Sequence, residues 1–219
     1  MNLNQQNLVV CGTGTDVGKT IVSSFLVQGL NATYWKPIQS GLEDGSDTSK
    51  VCKLLNLAQE RWISERYKFQ AAVSPHWAAE KEGQWINPSF LNLPKIQGPL
   101  IIETAGGLMV PINREFLQID QLKLWESPIV LVARSELGTL NHTLLSIEAL
   151  KKRLIPILGI ILNGPPHEDN PKTLEKFSNI PILAHLPHLQ ELTAKALKEE
   201  WEKQHLDITF KHFKKITKS

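Results

Sequence analysis

The sequence predicts a three-layer α/β fold, in which a mainly parallel sheet is covered by helices on both faces. Short apolar runs alternate with stretches of helical periodicity along the 219 residues. The runs are nearly all apolar rather than alternating with polar residues, which is typical of parallel strands buried on both faces. We expect these strands at residues 8–11, 33–36, 99–103, 128–133, 156–162 and 181–184.

Apolar residues at helical spacing predict helices between the strands. We expect them at residues 21–30, 47–57, 140–154 and 190–205. Residues 58–98 are less regular, and we expect them to pass over the carboxyl edge of the sheet, where ligands bind in such folds. The chain contains no repeat or low-complexity linker, so a single domain over residues 1–219 is expected, with 206–219 as a candidate C-terminal tail.

The bulk composition argues against several classes of protein. A formal net charge of +2 is too small to indicate nucleic acid as a partner. The two cysteines provide neither a disulfide framework nor a zinc-ligand spacing. The first seven residues lack the basic and apolar regions of a signal peptide, and no apolar run approaches membrane-spanning length. A cytoplasmic location is therefore expected.

The most informative segment is Gly12-Thr13-Gly14-Thr15-Asp16-Val17-Gly18-Lys19-Thr20, which we call the phosphate loop. A strict G-x-x-x-x-G-K-[ST] pattern would place glycine at position 13, where threonine stands. The Gly-Lys-Thr nevertheless lies between a predicted strand and the start of a predicted helix, so backbone N–H groups and the helix dipole can hold phosphate. Lys19 would reach the outer phosphates and the Thr20 hydroxyl would bind Mg²⁺. An ordinary glycine-rich turn is the alternative; we favour a P-loop NTPase-type fold.

Three charged side chains stand where they would face that loop. Lys36 ends the second predicted strand, where it would stabilise charge on a transferred phosphoryl group. Asp47 lies near a helix start, so it is either a metal ligand or an N-cap carboxylate. Glu103 closes a very apolar run, the place at which phosphate-loop enzymes hold Mg²⁺. Thr20, Asp47 and Glu103 would together form an oxygen site suited to Mg²⁺.

Other candidates are weaker when taken singly. Asn163 closes the fifth strand and offers the donor and acceptor that an adenine edge requires, although a simple turn residue is an equal alternative. The amides of residues 138–141 would hold a carboxylate, or they begin an ordinary capped helix. His76 and His142 are assigned no metal or base role.

The tail has an amphipathic pattern. Leu206, Phe210, Phe213 and Ile216 fall on one helical face with lysines among them. Such a basic segment either lies on a membrane or packs as a C-terminal helix, and its short length makes membrane binding the minor alternative.

These segments together resemble the dethiobiotin synthetase family of biotin synthesis. The resemblance covers most of the chain. It consists of residues 12–20, Lys36-Pro37-Ile38-Gln39-Ser40-Gly41, Asp47, Ser74-Pro75-His76, Glu103-Thr104-Ala105-Gly106-Gly107, residues 138–142 and Asn163. The Lys-Pro-x-x-Ser-Gly and Gly-x-x-Asn-His blocks make it specific, because a phosphate loop alone would indicate only a superfamily.

The resemblance implies a homodimer that closes the ureido ring of dethiobiotin from 7,8-diaminononanoate, CO₂ and ATP with Mg²⁺. A carbamate on one substrate nitrogen attacks the γ-phosphate, and the second amine then displaces phosphate from the resulting anhydride. Positioning of the reactants and stabilisation of phosphoryl charge suffice for this chemistry.

The resemblance also implies roles for individual residues. Lys36 would be the main catalytic residue and Lys19 would neutralise phosphate. Ser40 and Ser74 would contact the diamine, and Asn141 would hold its carboxylate across the dimer interface. The nucleotide and its metal would be bound by Asp16, Val17, Gly18, Lys19, Thr20, Ile21, Asp47, Glu103, Thr104, Ala105, Gly106, Asn163, Gly164, Pro187, His188 and Leu189.

Three positions depart from the family pattern. Gly14 stands where the family usually has aspartate, Asp16 where it commonly has glutamate, and Thr104 where it has glycine. The main alternative is a partition or septum-positioning ATPase that acts on a membrane or DNA, but the extra lysine that these proteins carry early in the loop is missing. A cobyric-acid-type amidotransferase would need a longer chain, and a kinase would not need the Lys-Pro-x-x-Ser-Gly block.

Overall fold

A seven-stranded sheet lies at the centre of the computed structural model, which describes residues 7–211. Its strands are all paired in parallel, in the order β4-β2-β6-β1-β7-β8-β9, and β3 and β5 form a separate parallel pair. The strands are β1 (Asn7–Gly12), β2 (Thr33–Trp35), β3 (Ile38–Ser40), β4 (Trp62–Ile63), β5 (Tyr67–Phe69), β6 (Leu100–Gly107), β7 (Ile129–Arg134), β8 (Ile157–Asn163) and β9 (Ile182–Leu186).

Helices cover both faces of this sheet. They are α1 (Lys19–Leu30), α2 (Asp47–Leu55), α3 (Pro75–Lys81), α4 (Gln118–Trp125), α5 (Thr139–Lys152), α6 (Asn170–Ser178), α7 (Ala194–Lys203) and α8 (Leu206–Thr209), with 3₁₀ turns at Gln59–Arg61 and Pro88–Phe90. Successive residues of β1 point to opposite faces. Leu8 and Val10 pack in the cluster that contains α1, α2, α7 and α8, whereas Val9 and Cys11 pack in the cluster that contains α3 to α6. The predicted three-layer α/β fold is confirmed.

All six predicted strands are present, but one is longer than expected. β6 continues to Gly107 because the register with β1 shifts after Val10, so that Gly107 pairs with Gly12. Glu103 therefore lies inside the strand instead of closing it. The register shift lets four residues of β6 pass where β1 advances by two, which bends the strand end towards the phosphate loop.

Helix boundaries and several short elements differ from the sequence-based expectation. α7 begins at Ala194 rather than at residue 190, because the Thr193 side chain accepts a hydrogen bond from the Ala196 amide and caps the helix there. α3, α4, α6, β4 and the β3–β5 pair were not predicted. The short strands β3, β4 and β5 are too brief to produce a detectable hydrophobic period.

The described part of the tail packs against the core. Leu206 and Phe210 are each 1% exposed, and the Phe210 ring stacks on Trp201 with a centroid separation of 5.4 Å. The apolar face of this segment is thus occupied by the protein itself as far as Phe210. Phe213 and Ile216 lie outside the described residues. Within residues 7–211, helices that could cross a membrane, by length and apolarity, are absent.

The close contact between α1 and α7 depends on a glycine. A Cβ atom on Gly29 would lie 2.2 Å from ring atoms of Trp201, well inside van der Waals contact. Trp201 in turn packs edge-on against Phe25 of α1, with ring centroids 5.3 Å apart. The indole therefore fills the space that a side chain at position 29 would need.

We predict that Gly29→Ala lowers the free energy of unfolding by about 1–2 kcal/mol, because the new methyl group overpacks a rigid indole. Helix propensity alone would instead stabilise the variant by about 1 kcal/mol. Urea denaturation provides the measurement, and Gln28→Ala in the same helix is the matched control. A Gly29→Ala protein as stable as the wild type would show that α7 can move away from α1 at little cost.

Candidate active site

The phosphate loop connects β1 to α1, as the sequence predicts. Lys19 is the first residue of α1, and Gly18 before it has a left-handed backbone with φ of 91°. A Cβ at Gly18 would lie 2.1 Å from Asn163 Nδ2, so only glycine fits on both counts. The Lys19 ammonium donates a hydrogen bond to the Gly14 carbonyl at 2.8 Å. The lysine thus spans the loop from the inside, with its charge where phosphate would bind.

Three donors from different parts of the chain converge on Glu103, whose side chain is fully buried. Glu103 Oε1 accepts hydrogen bonds from Thr20 Oγ1 at 2.8 Å and from Lys36 Nζ at 3.0 Å. Glu103 Oε2 accepts one from the Tyr34 hydroxyl at 3.0 Å. Lys36 Nζ also donates to Asp47 Oδ2, so the lysine bridges two carboxylates. The structure thereby brings Thr20, Lys36, Asp47 and Glu103 together.

The charges of this cluster stabilise one another. Burial disfavours the Lys36 ammonium, but the carboxylates of Glu103 and Asp47 outweigh it and raise the pKa of Lys36. Burial likewise opposes ionisation of Asp47, yet the Lys36 charge outweighs it and lowers the pKa of Asp47. For Lys19, burial dominates and lowers its pKa. Lys36 is consequently a fixed cation at neutral pH.

Thr20 and Glu103 offer a pair of oxygen atoms suited to Mg²⁺. The Thr20 hydroxyl and Glu103 Oε1 lie 2.8 Å apart, and the Lys36 ammonium lies between that carboxylate and Asp47. Mg²⁺ prefers such hard oxygen donors, and it commonly takes one or two carboxylates beside phosphate and water. In the part of the chain that the structure describes, three or more His, Cys, Asp or Glu side chains nowhere form a metal-binding group. A complete all-protein metal cage is therefore absent from residues 7–211.

Asp47 is not the N-cap of α2, so that alternative is wrong. Ser46 occupies the cap position, and its side chain accepts a hydrogen bond from the Ser49 amide. Asp47 is the first helical residue, and its amide donates to Gln39 Oε1 at 2.9 Å. Gln39 Nε2 in turn donates to the carbonyls of Ser40 and Gly41, each at 3.1 Å. The Gln39 side chain thus ties the Lys36–Gly41 segment to the helix that carries Asp47.

A cavity of about 950 Å³ opens above this cluster. The predicted site residues that line it are Asp16, Gly18, Lys19, Thr20, Ile21, Lys36, Ser40, Asp47, Ser74, Glu103, Ala105 and Gly106. Ser40 Oγ is buried and makes no hydrogen bond within the described residues. The Thr104 hydroxyl instead donates to the Val10 carbonyl at 3.4 Å, so its side chain points into the sheet.

The predicted adenine-side residues lie at the ends of β8 and β9. Asn163 Nδ2 donates to the Val17 carbonyl at 3.2 Å, which joins the end of β8 to the phosphate loop. Pro187, His188 and Leu189 follow β9 in irregular backbone. The His188 ring lies beside Gly164, since a Cβ there would be 3.8 Å from His188 Nε2.

Asn141 is not brought to the main cavity within one chain. It is exposed in the first turn of α5, a helix whose N-cap, Gly138, provides no side-chain cap. A second cavity of about 410 Å³ lies along this helix and is bounded by Thr13, Gly14, Met109, His142 and Leu145 among others. Residues of the phosphate loop line both cavities, and the two cavities share Thr15 and Val110.

Three residues that hold the site in place were not assigned from the sequence, namely Tyr34, Gln39 and Arg134. Tyr34 lies two residues before Lys36, and side chains two apart in an extended chain share a face, so this signal was present. Gln39 lies inside the Lys-Pro-x-x-Ser-Gly block. The Arg134 guanidinium donates from Nε and Nη2 to the Asp16 carbonyl, at 3.0 and 2.7 Å. That contact joins residues 118 positions apart, which no local pattern reveals.

Comparison with known sequences gives consistent matches. A family model described as "AAA domain" matches residues 6–196. The ATP-dependent dethiobiotin synthetase BioD of Rhodopseudomonas palustris is 47% identical over 191 residues, which cover 87% of this chain and 90% of that protein. BioD of Afipia carboxidovorans is 47% identical over 192 residues, 87% of this chain and 91% of that protein. The biotin biosynthesis bifunctional protein BioCD of Bordetella avium is 46% identical over 91% of this chain and 43% of that protein.

Comparison with solved structures shows the fold alone. The septum site-determining protein MinD of Pyrococcus horikoshii, complexed with Mg-ADP, aligns with a TM-score of 0.57 at 16% identity over 98% of this chain and 96% of that chain. A ParA family ATPase from Chlorobium tepidum aligns with a TM-score of 0.55 at 13% identity over the same shares of the two chains. The partition and septum-positioning proteins are thus distant in sequence, while the synthetases are near.

We predict that Tyr34→Phe lowers the free energy of unfolding by about 1–3 kcal/mol, because it leaves Glu103 Oε2 buried without its donor. Tyr67, the other tyrosine of the chain, supplies the matched control. Its hydroxyl only accepts a hydrogen bond from the exposed Asn87 amide, at 3.1 Å, so Tyr67→Phe should cost less. Urea denaturation compares the two variants, and equal losses would contradict a special role for the buried hydroxyl.

Proposed function

This chain belongs to the ATP-dependent dethiobiotin synthetase family of ligases, and we propose that it closes the ureido ring of dethiobiotin from 7,8-diaminononanoate, CO₂ and MgATP. The observation that carries the proposal is the Lys36 ammonium, held between Asp47 and Glu103 beside the phosphate loop. That arrangement places a fixed positive charge at the point where a phosphoryl group would be transferred.

The proposed reaction has two steps. The carbamate formed from one substrate amine and CO₂ attacks the γ-phosphorus through oxygen, and the bond to the ADP leaving oxygen breaks. The second amine then attacks the carbonyl carbon of the carbamic–phosphoric anhydride, and phosphate leaves with the bonding electrons as the ring closes. The carbamate is itself a nucleophile, so the protein needs to orient two reactants and stabilise phosphoryl charge.

Lys36 and Lys19 stabilise different negative charges in the proposed reaction. Lys36 stabilises the transferred phosphoryl group and the carbamate; its raised pKa argues that it acts as a permanent cation, not as a base. Lys19 would exchange its bond to the Gly14 carbonyl for a phosphate oxygen. Mg²⁺, when held by Thr20, Asp47 and Glu103, would neutralise charge on the phosphates. Lys36 donates hydrogen bonds to both Asp47 and Glu103. When Lys36 turns towards the substrate, these two carboxylates would lose that donor and become free to bind the metal ion.

The residues that would bind the diamine and the adenine base are proposed from the lining of the main cavity and from the ends of β8 and β9. Ser40 Oγ, buried and without a hydrogen bond in the described chain, supports a contact with the diamine, and Ser74 lines the same cavity. At the other end Asn163, Gly164 and the 187–189 segment would surround adenine. An amide nitrogen carries two hydrogens, so the bond from Asn163 to the Val17 carbonyl leaves a donor and the oxygen for the base.

We assign the homodimer interface to the surface around the second cavity. Met109 and Leu145 line that cavity and are exposed large apolar side chains, and Leu137, just before the start of α5, is fully exposed. Exposed apolar residues beside a cleft are typical of association sites. A second copy on this face would also bring its Asn141 towards the substrate cavity of the first, which one chain alone does not do.

We expect the purified protein to form dethiobiotin from diaminononanoate, bicarbonate and MgATP, with one ADP for each ring closed. Product is detected by mass spectrometry and ADP by a coupled assay. Lys36→Met should lose about 10²- to 10³-fold in kcat, because removal of one preorganised group that stabilises developing charge costs on that scale. Lys95→Met, at an exposed lysine in the 91–98 loop, is the control. ADP release without ring-closed product would refute the proposed function, and unchanged turnover of Lys36→Met would remove the catalytic role of Lys36.

We expect Leu145→Asp to shift the protein from dimer to monomer, because a carboxylate would be buried without a partner in the apolar interface. Light scattering after size-exclusion chromatography measures the mass of each species. Phe177→Asp changes an apolar residue on α6 that is even more exposed than Leu145, and it should leave the dimer intact. A wild-type monomer at micromolar concentration would contradict the assignment of this face.

A further inference from the structure

Two consecutive carbonyl groups of the phosphate loop are held from outside by side chains at the ends of neighbouring strands. The Asp16 carbonyl accepts from Arg134 Nε and Nη2, and the Val17 carbonyl accepts from Asn163 Nδ2. Arg134 ends β7 and Asn163 ends β8. The pairing of these strands places Arg134 opposite Asn163, so both reach the loop from the same edge of the sheet.

The orientation of those carbonyls determines where the loop amides point. In a trans peptide the C=O and the following N–H point in opposite directions. When Arg134 holds the Asp16 carbonyl outward, the Val17 N–H points inward, and the Asn163 contact does the same for the Gly18 N–H. Inward-pointing amides at the N-terminus of a helix are the groups that bind phosphate.

The contacts also fix an uncommon backbone conformation. Asp16 has a left-handed φ of 55°, which few residues other than glycine adopt, although asparagine and aspartate adopt it more often than most. The two hydrogen bonds from Arg134 hold the carbonyl group of that residue in one orientation. The Arg134 guanidinium supplies two N–H groups to one oxygen, and Glu136 Oε2 lies 3.7 Å from its Nη1.

We infer that Arg134 is a positioning residue for the polyphosphate of the nucleotide, which it serves by fixing the Asp16–Val17 peptide and not by touching the ligand. The inference rests on the proposed use of ATP. Arg134 is absent from the lining of the cavity above the cluster, whereas Asp16 and Gly18 belong to it. Its side chain is 46% exposed, so its removal leaves the core unchanged.

Binding of MgADP and of AMP by isothermal titration calorimetry tests this inference without any ring closure. We expect Arg134→Met, which keeps the aliphatic stem, to weaken MgADP about tenfold, because a hydrogen-bond pair from a charged donor is lost. AMP lacks the β-phosphate that the loop amides would bind, so its affinity should change less than twofold. Arg134→Lys keeps the charge but cannot donate two N–H groups in a fixed fork, and should recover only part of the loss. In turnover, the KM for ATP should rise while kcat stays within about threefold of wild type.

Arg114→Met is the matched control, since Arg114 is an exposed arginine whose guanidinium pairs with Glu80 away from the loop. It should bind MgADP as the wild type does. Three results would overturn the inference. The first is an affinity of Arg134→Met for MgADP within twofold of the wild-type value. The second is an equal loss of affinity for AMP and MgADP, which indicates a direct contact with the nucleoside, and the third is full recovery of MgADP affinity by Arg134→Lys, which indicates charge attraction alone. Failure of the wild type itself to bind MgADP would instead refute the proposed function.

Discussion

The Glu103 carboxylate is a fully buried negative charge in the interior of the central sheet. An ionised carboxylate in such a place requires hydrogen-bond donors and a positive charge, since burial without them is costly. Thr20 of α1, Tyr34 of β2 and Lys36 after β2 supply them. The helix that follows the phosphate loop and the strand that precedes the Lys36 segment are therefore both oriented by one side chain of β6. Asp47 then joins through Lys36, and α2 with it.

This arrangement links stability to reactivity. The contacts that satisfy Glu103 in the folded protein use the same hydroxyl and ammonium groups that the proposed reaction assigns to metal and phosphate. Only the Tyr34 hydroxyl, on the far oxygen of the carboxylate, has no proposed part in the chemistry. It can keep Glu103 in place while the other two donors turn towards a ligand. The buried hydrogen bond from Tyr34 to Glu103 thus allows Thr20 and Lys36 to exchange Glu103 for a ligand.

The sequence predicts those parts of the fold and site that rest on local chemistry. The long buried strands, the phosphate loop and α1 were recognisable because each has its own period or composition. Lys36, Asp47 and Glu103 followed from their expected positions at strand and helix ends, although Glu103 lies inside β6. The roles of Tyr34 and Arg134 and the extension of β6 to Gly107 depend on contacts between residues about 70 to 120 positions apart. A pattern in one segment does not contain that information, so these features required the structure.

The strand order has a consequence for synthesis of the chain on the ribosome. β1 carries the phosphate loop, and both of its neighbours in the sheet, β6 and β7, follow it at a distance, beginning at Leu100 and Ile129. Nearly ninety residues lie between Gly12 and Leu100, so β1 leaves the exit tunnel long before any strand with which it pairs. Parallel pairing over such separations is slow, because loop closure precedes any gain from contacts. The nascent chain therefore carries its phosphate loop on an unpaired strand until β6 has emerged.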